Sequence, residues 1–295
     1  MKEKTIFALG FFDGVHLGHQ ALLSACKTLA AEYDCKAGVL TFAGHPDALV
    51  LGKSPALLNT PQDRRQLLTE YGMDTVMELP FDRELMCCPW QEFFRRLVEE
   101  FGAAGLVCGE DFRFGYKGEG TAAALLQTCR EKGLPCTVVP QQKLEGTVIS
   151  STHIRTLLEV GNITEVNRFL GHPHMLTGKV ITGQQLGRTL GFPTANLAIP
   201  SELAVPKLGV YACLACLDGH KYPAVANIGT RPTVNGEGIS LEVHLIDFSG
   251  DLYGQRLTVE LHAFLRPEKK FADLPQLQEE IRKNIEKTTH FFGKK

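Results

Sequence analysis

Five short strand-like runs alternate with helical patterns in the first half of the chain: Thr5–Leu9, Lys36–Phe42, Thr75–Leu79, Gly105–Cys108 and Cys136–Val139. Between them, His19–Tyr33 carries Leu22, Leu23, Cys26, Leu29 and Ala30 on one face at helical period. Thr60-Pro61-Gln62-Asp63 predicts another helix start, with a threonine cap, proline at the first helical position and an acid two further on. Pro89 opens a third helix through Phe93, Phe94, Leu97 and Val98, and Gly120–Lys132, ended by Gly133, is a fourth. Such alternation confines the segment to a parallel sheet covered by helices on both faces.

The pattern changes after about Leu170. Gly171-His172-Pro173-His174 reads as a linker, so domains of residues 1–170 and 175–295 are expected. Gly178–Thr182, Gly209–Leu217, Tyr222–Ile228, Ser240–Phe248 and Arg256–Leu265 are closely spaced strand candidates, with Asp218-Gly219 as a turn between two of them. They predict an antiparallel barrel. Pro275–Phe292, with Leu277, Ile281 and Ile285 on one face, predicts a terminal helix.

A formal net charge of -2, with no long run of like charge, gives no support to a nucleic-acid or membrane-surface partner. No stretch is apolar enough to span a bilayer. The first residues, interrupted at Asp13, do not read as a signal peptide. Nine cysteines, an odd number, do not form a disulfide framework, and a cytoplasmic setting is expected. Cys213 and Cys216 have zinc-type spacing, but they lie on a strand, where residues three apart point to opposite faces.

Gly10-Phe11-Phe12-Asp13-Gly14-Val15-His16-Leu17-Gly18-His19 joins the first strand to the first helix. A glycine-containing turn there aims backbone N–H groups and a helix N-terminus at one point, a site for phosphate and the usual ligand position in open parallel sheets. Three readings stand for His16 and His19: donors to a phosphate chain, caps of the helix, or ligands of a metal with Asp13 as a third partner. The GxGxxG fingerprint is absent here, and the chain has no GxxxxGK[ST] loop.

At this point the residues resemble a known group. Phe12–His19 resembles the HxGH signature of nucleotidylyltransferases, and Ile149-Ser150-Ser151-Thr152-His153-Ile154-Arg155 resembles their ISSTxIR signature. Thr41–Pro46 and Gly109–Gly115 are similar to two further segments of the FMN adenylyltransferase half of prokaryotic FAD synthetases. The resemblance implies a Rossmann-like nucleotidylyltransferase domain. It implies ATP contacts from Gly10, Phe11, Phe12, Asp13, Gly14, His16, His19, Ser150, Ser151, Thr152 and Arg155, and FMN contacts from His45, Asp111, Phe112 and Arg113. FMN phosphate is already anionic, so no base is needed. The site has to supply charge neutralisation and in-line placement, with His16, His19 and Arg155 as the catalytic candidates.

Gly187-Arg188-Thr189-Leu190-Gly191-Phe192-Pro193-Thr194-Ala195-Asn196 resembles the GRxLGFPTAN motif of riboflavin kinases. Gly209–Tyr211, Ala226–Thr233, Leu241–Phe248 and Asp251–Gly254 are similar to that family's later motifs, in order. The chain thus resembles bifunctional riboflavin kinase/FMN adenylyltransferases along nearly its whole length. Thr194 and Asn196, hard oxygen donors two apart in an extended segment, share a face and can both reach one Mg²⁺. Glu242 lies opposite the Leu241, Val243 and Leu245 face, toward a cavity or toward solvent. The resemblance selects the cavity, where Glu242 would take the proton of the ribityl hydroxyl.

It further implies kinase ATP contacts from Gly187, Arg188, Gly191, Phe192, Pro193, Thr194 and Asn196. Flavin contacts are implied for Gly209, Val210, Tyr211, Asn227, Arg231 and Glu242, although for Tyr211 and Phe248, aromatics at strand spacing, a core position is the safer default. ATP, riboflavin and FMN would be the substrates, with no obligate protein partner. Three positions depart from the family pattern: Gly44, where proline is usual; His153; and Asn284, where an acid is often seen. A flavin carrier, a kinase with an inactive first domain, and a nucleotidylyltransferase for another phosphorylated alcohol are the competing expectations.

Overall fold

The computed structural model describes residues 4–183, 187, 190–233 and 236–293, with 231–233, 236 and 237 described by their backbone only. The chain packs into two compact units, Met1–Leu57 with Pro61–Ser151, and Leu58–Thr60 with Thr152–Lys295.

In the first unit the strands are β1 (Thr5–Leu9), β2 (Lys36–Phe42), β3 (Thr75–Leu79), β4 (Ala103–Gly109), β5 (Arg113–Phe114), β6 (Gly120–Thr121), β7 (Cys136–Val139), β8 (Lys143–Leu144) and β9 (Thr147–Val148). Its helices are α1 (Leu17–Glu32), α2 (Asp47–Val50), α3 (Pro61–Glu70), α4 (Arg83–Cys87), α5 (Trp90–Glu99) and α6 (Ala122–Glu131). Five strands form a parallel sheet in the order β3-β2-β1-β4-β7. β1 is central and buried at every position, which is why Thr5–Leu9 reads as a continuous run. α1 and α6 pack on β4 and β7, α5 on β4 and α3 on β3. Phe7, Leu9, Leu40, Phe93, Leu97, Leu106 and Leu125 share the resulting core. The chain leaves β1 for β2 on one side and later returns to β4 on the other. The carboxyl end of β1 is therefore the switch point where an open sheet leaves a crevice.

Helices α7 (Ser151–Val160) and α8 (Ile163–Leu170) precede the barrel strands β10 (His174–Ile181), β11 (Ala195–Ala198), β12 (Gly209–Leu217), β13 (His220–Thr233), β14 (Gly236–Leu245) and β15 (Arg256–Arg266), and helix α9 (Leu274–Gly293) follows. The six strands close in the order β10-β11-β14-β13-β12-β15, every pairing antiparallel. α9 packs on β12 and β13. α8 is tied to the barrel by Asn167, whose amide donates to Leu261 O at 2.8 Å and accepts from His174 N at 2.8 Å. Sequence periodicity places a domain limit at 170–175, whereas the packing groups α8 with the barrel.

Besides the two-residue strands β5, β6, β8 and β9, three short elements escape the periodicity. β11, four residues flanked by Pro193 and Pro200, is too short to show alternation. α2 and α4, of four and five residues, are too short to show a helical face. β10 begins at His174, inside the segment read as a linker.

His174 is 1% exposed, and its Nε2 has no hydrogen-bond partner among the described residues. Burial, with His172 second, pushes its pKa down to about 3. The unfolded chain therefore binds one more proton than the folded one between pH 6.5 and 3. Stability is full above 6.5 and falls as the pH drops, with a slope approaching ~1.4 kcal/mol per pH unit from this group. Denaturant titrations from pH 7 to 4 should show the loss, and His174→Leu should flatten it.

Candidate active sites

The turn after β1 is strained. Phe12 (φ 59), Gly14 (φ 80) and Val15 (φ 40) all have left-handed backbone, a conformation a β-branched residue rarely adopts. Neighbours hold it there. Thr41 Oγ1 donates to Phe11 O at 3.0 Å, Ser151 Oγ to Asp13 O at 2.9 Å, and Gln20 Nε2 to Val15 O at 2.9 Å. Ser151, from the second signature, thus braces the first.

His16 caps α1: its Nδ1 accepts from His19 N at 3.2 Å, which leaves the ring proton on Nε2. The His16 and His19 rings stack, centroids 3.6 Å apart and planes 11° apart. A Cβ at Gly18 would lie 3.1 Å from His16 Cε1, so glycine lets the ring sit flat on the helix start. His19 Nδ1 is buried without a partner among the described residues. Burial, then His16 and Arg64, hold its pKa well below the ordinary histidine value. The capping and phosphate-donor readings are therefore compatible, since a neutral imidazole can still donate one hydrogen bond. Among the described residues no group of three His, Cys, Asp or Glu side chains could hold a metal ion.

Arg64 of α3 was not marked by any sequence pattern. It is 1% exposed, its guanidinium carbon lies 4.4 Å from the Phe11 ring centre, and Nη2 donates to Phe42 O at 2.7 Å. Its single signal is a cation on an otherwise ordinary amphipathic helix.

Leu9 and Gly10 also form the lip of a cavity of about 750 Å³. Leu40, Phe42, Phe81, Phe93, Phe112 and Phe114 give it apolar walls, and Arg113 and Lys117 bring positive charge. A flat aromatic ligand there would begin beside the histidine turn. Phe112 and Arg113 of the expected set line it. Asp111 is exposed and does not. His45 stands next to it, 4.6 Å from Phe11 ring to ring, with Nδ1 accepting from Asp47 N at 3.2 Å. Phe81, Met86, Tyr116 and Lys117 were missed, because a loop before α4 and short helical turns carry no period. At Gly44 a Cβ would meet nothing within 4 Å, so the departure there relieves no clash. In α7, Ser151 belongs to the first unit and Thr152 and Arg155 to the second.

In the barrel, Leu241, Val243 and Leu245 are buried and the alternate residues Glu242 and His244 line a cavity of about 290 Å³. The register sets Glu242 directly opposite Asn196 of β11 on one side and Asn227 of β13 on the other. Three strands thus present Asn196, Glu242 and Asn227 as one transverse polar row. Asn196 is 6% exposed and its Oδ1 has no partner among the described residues, an orphaned hard oxygen of the kind Mg²⁺ takes. A Cβ at Gly183 would come 2.2 Å from Asn196 Nδ2, so only glycine leaves that amide its place.

Thr194 lines this cavity and a second of about 580 Å³ that also touches Pro193, Phe248 and Asp251. Gly187, Phe192 and Val210 line the smaller cavity, Gly191 turns with φ 82, and Gly209 stands with φ 151 against Arg266 O. Tyr211 is fully buried, with its hydroxyl donating to Lys207 O and Phe264 edge-on at 5.2 Å; it lines neither cavity. Arg188 and the Arg231 side chain lie outside the described residues. Cys213 is buried with its thiol on Ala224 O, and Cys216 is pushed up to about 11 by burial and Glu260.

One unit gathers two stacked imidazoles and a buried arginine at a sheet switch point; the other sets a carboxylate between amides inside a barrel. Together they define a nucleotide-using transferase with two catalytic units. A model of the family described as FAD synthetase matches residues 1–153, and one described as riboflavin kinase matches residues 170–292. The bifunctional riboflavin kinase/FMN adenylyltransferase of Listeria monocytogenes is 34% identical over 98% of this chain and 93% of its own length. That of Escherichia coli K12 is 37% identical over 99% and 94%. A crystal structure from Streptococcus pneumoniae, described as a macrolide-efflux protein, superposes with a TM-score of 0.89 at 30% identity, covering 98% of this chain and 94% of that one. The chain belongs to the bifunctional riboflavin kinase/FMN adenylyltransferase family. No helix among the described residues is long and apolar enough to cross a membrane.

Proposed function

We propose that the Asn196–Glu242–Asn227 row carries riboflavin phosphorylation and the His16–His19 turn carries FMN adenylylation. As a member of its family, the protein transfers the γ-phosphoryl group of ATP to riboflavin, giving FMN, and then joins AMP from ATP to FMN, giving FAD and pyrophosphate. The observation that carries the kinase assignment is the register of Glu242 between two amides in a cavity that Thr194 also lines.

In the kinase step the ribityl hydroxyl is a neutral nucleophile. Glu242 accepts its proton as the oxygen approaches the γ-phosphorus. Thr194 and Asn196 would hold Mg²⁺, and the orphaned Asn196 Oδ1 and the Gly183 clearance fit that role. When bound, the ion neutralises and orients the ATP phosphates. Gly187, Phe192 and Pro193 shape the loop beside it.

In the adenylyl step FMN phosphate attacks the α-phosphorus. The apolar 750 Å³ cavity takes the flavin ring, with Phe112 and Arg113 in its wall, so that the phosphate reaches the turn past Gly10. His16 and His19 donate hydrogen bonds to phosphate oxygens as neutral imidazoles. Ser150 and Ser151 of the second signature bind the departing phosphates. Nine free thiols suit a reducing cytoplasm.

Incubation of the purified protein with riboflavin, ATP and Mg²⁺, followed by separation of the flavins, tests this. FMN should appear first and FAD after it. FMN alone would mean an inactive adenylyl site; tight flavin binding without turnover would mean a carrier.

A further inference from the structure

The 290 Å³ kinase cavity has two unlike walls. The barrel side supplies Thr194, Asn227, Glu242 and His244, while α9 supplies Leu277, Ile281 and Asn284. Asn284 is thus the polar member of an otherwise apolar helical stripe. It is 2% exposed, and its Oδ1 has no hydrogen-bond partner among the described residues. An orphaned buried carbonyl is costly, and an apolar side chain of similar size would remove that cost. Thr288, one turn on and fully buried, also has an orphaned hydroxyl but does not line this cavity. What distinguishes Asn284 is its place in the wall of a substrate cavity.

We propose that Asn284 binds the imide edge of the flavin ring and so selects the kinase's substrate; this rests on the kinase assignment of the cavity. The ring of riboflavin carries one N–H between two carbonyls. A carboxamide presents an acceptor beside a donor, so Oδ1 accepts from the imide N–H while the side-chain NH₂ donates to a neighbouring carbonyl. Leu190, Phe192 and Val210 supply apolar contact for the rest of the ring. Glu242, on the barrel wall, meets the ribityl end. A carboxamide does not titrate, so the side-chain half of the contact is the same at every pH at which the fold persists. An acid in this place would keep the acceptor and lose the donor.

The test compares kcat/KM for riboflavin and N3-methylriboflavin in the full-length wild type, N284D, N284A and N284L, with thermal unfolding as the fold control. Methylation should cost the wild type roughly 10- to 100-fold, the worth of one buried hydrogen bond left unmade. N284L and N284A should lose a similar factor on riboflavin and discriminate little between the two flavins. N284D, which keeps the acceptor, should still discriminate. Equal use of both flavins by the wild type, or full discrimination by N284A or N284L, overturns the imide contact alone. Formation of no FMN from riboflavin by the wild type overturns the kinase assignment beneath it.

Discussion

Glu242→Gln is expected to slow riboflavin phosphorylation by about 10²- to 10⁴-fold and to leave FMN-to-FAD conversion at its wild-type rate. The change is nearly isosteric, so the row with Asn196 and Asn227 keeps its shape. What disappears is an anionic acceptor for the hydroxyl proton. A neutral alcohol cannot expel ADP at useful rates near pH 7 unless that proton is taken as the bond forms. Flavin separation over time, started from riboflavin and in parallel from FMN, reads both activities in one preparation. Kinase turnover within a few-fold of wild type would falsify the base assignment and leave Glu242 as a structural carboxylate of a polar row.

His19→Ala is expected to do the reverse, lowering FMN adenylylation by about 10²- to 10³-fold, the usual range for removing one preorganised donor. Its Nδ1 is orphaned and its ring is pinned between Phe12, 5.1 Å away, and the stacked His16. Such an arrangement is prepared before a ligand arrives. Burial and the nearby cation of Arg64 hold its pKa well below the ordinary value. The sign is therefore that of a group already neutral at pH 7. The wild-type kcat/KM of adenylylation should consequently follow the ionisation of the substrate phosphates between pH 6 and 8 and show no titration of His19. An inflection beyond that of the substrate phosphates, present in the wild type and absent from His19→Ala, would mean that a cationic His19 takes part. Loss of both activities in a folded His19→Ala protein would rule out independent sites.

Much of this was legible in the order of residues. The inner strands β1 and β2 coincide with apolar runs, because a strand buried on both faces must be largely apolar, and the partly buried edge strands β3 and β7 were marked by similar short runs. The strained turn is marked by Gly14 and Gly18, whose backbone and clearance needs other residues do not meet. What could not be read are places where the deciding contact joins distant segments. Arg64 looks like a surface cation until α3 is laid over Phe11. Tyr211, for which strand spacing favours a core and the family resemblance a flavin contact, is enclosed once the barrel closes around it. The wall formed by Phe81 and Met86 belongs to a loop and to a five-residue helix too short to carry a period.

The order of residues alone determined the two architectures and the pair of chemistries, since hydrophobic period, turn geometry and contiguous motifs are local properties of a chain. Only the tertiary structure decided that Glu242 lies between Asn196 and Asn227, that His19 is desolvated beside a buried arginine, and that α9 presents an orphaned amide to the kinase cavity. Register, burial and electrostatic surroundings depend on which distant segments pack together, and that is settled by closing the sheet and the barrel.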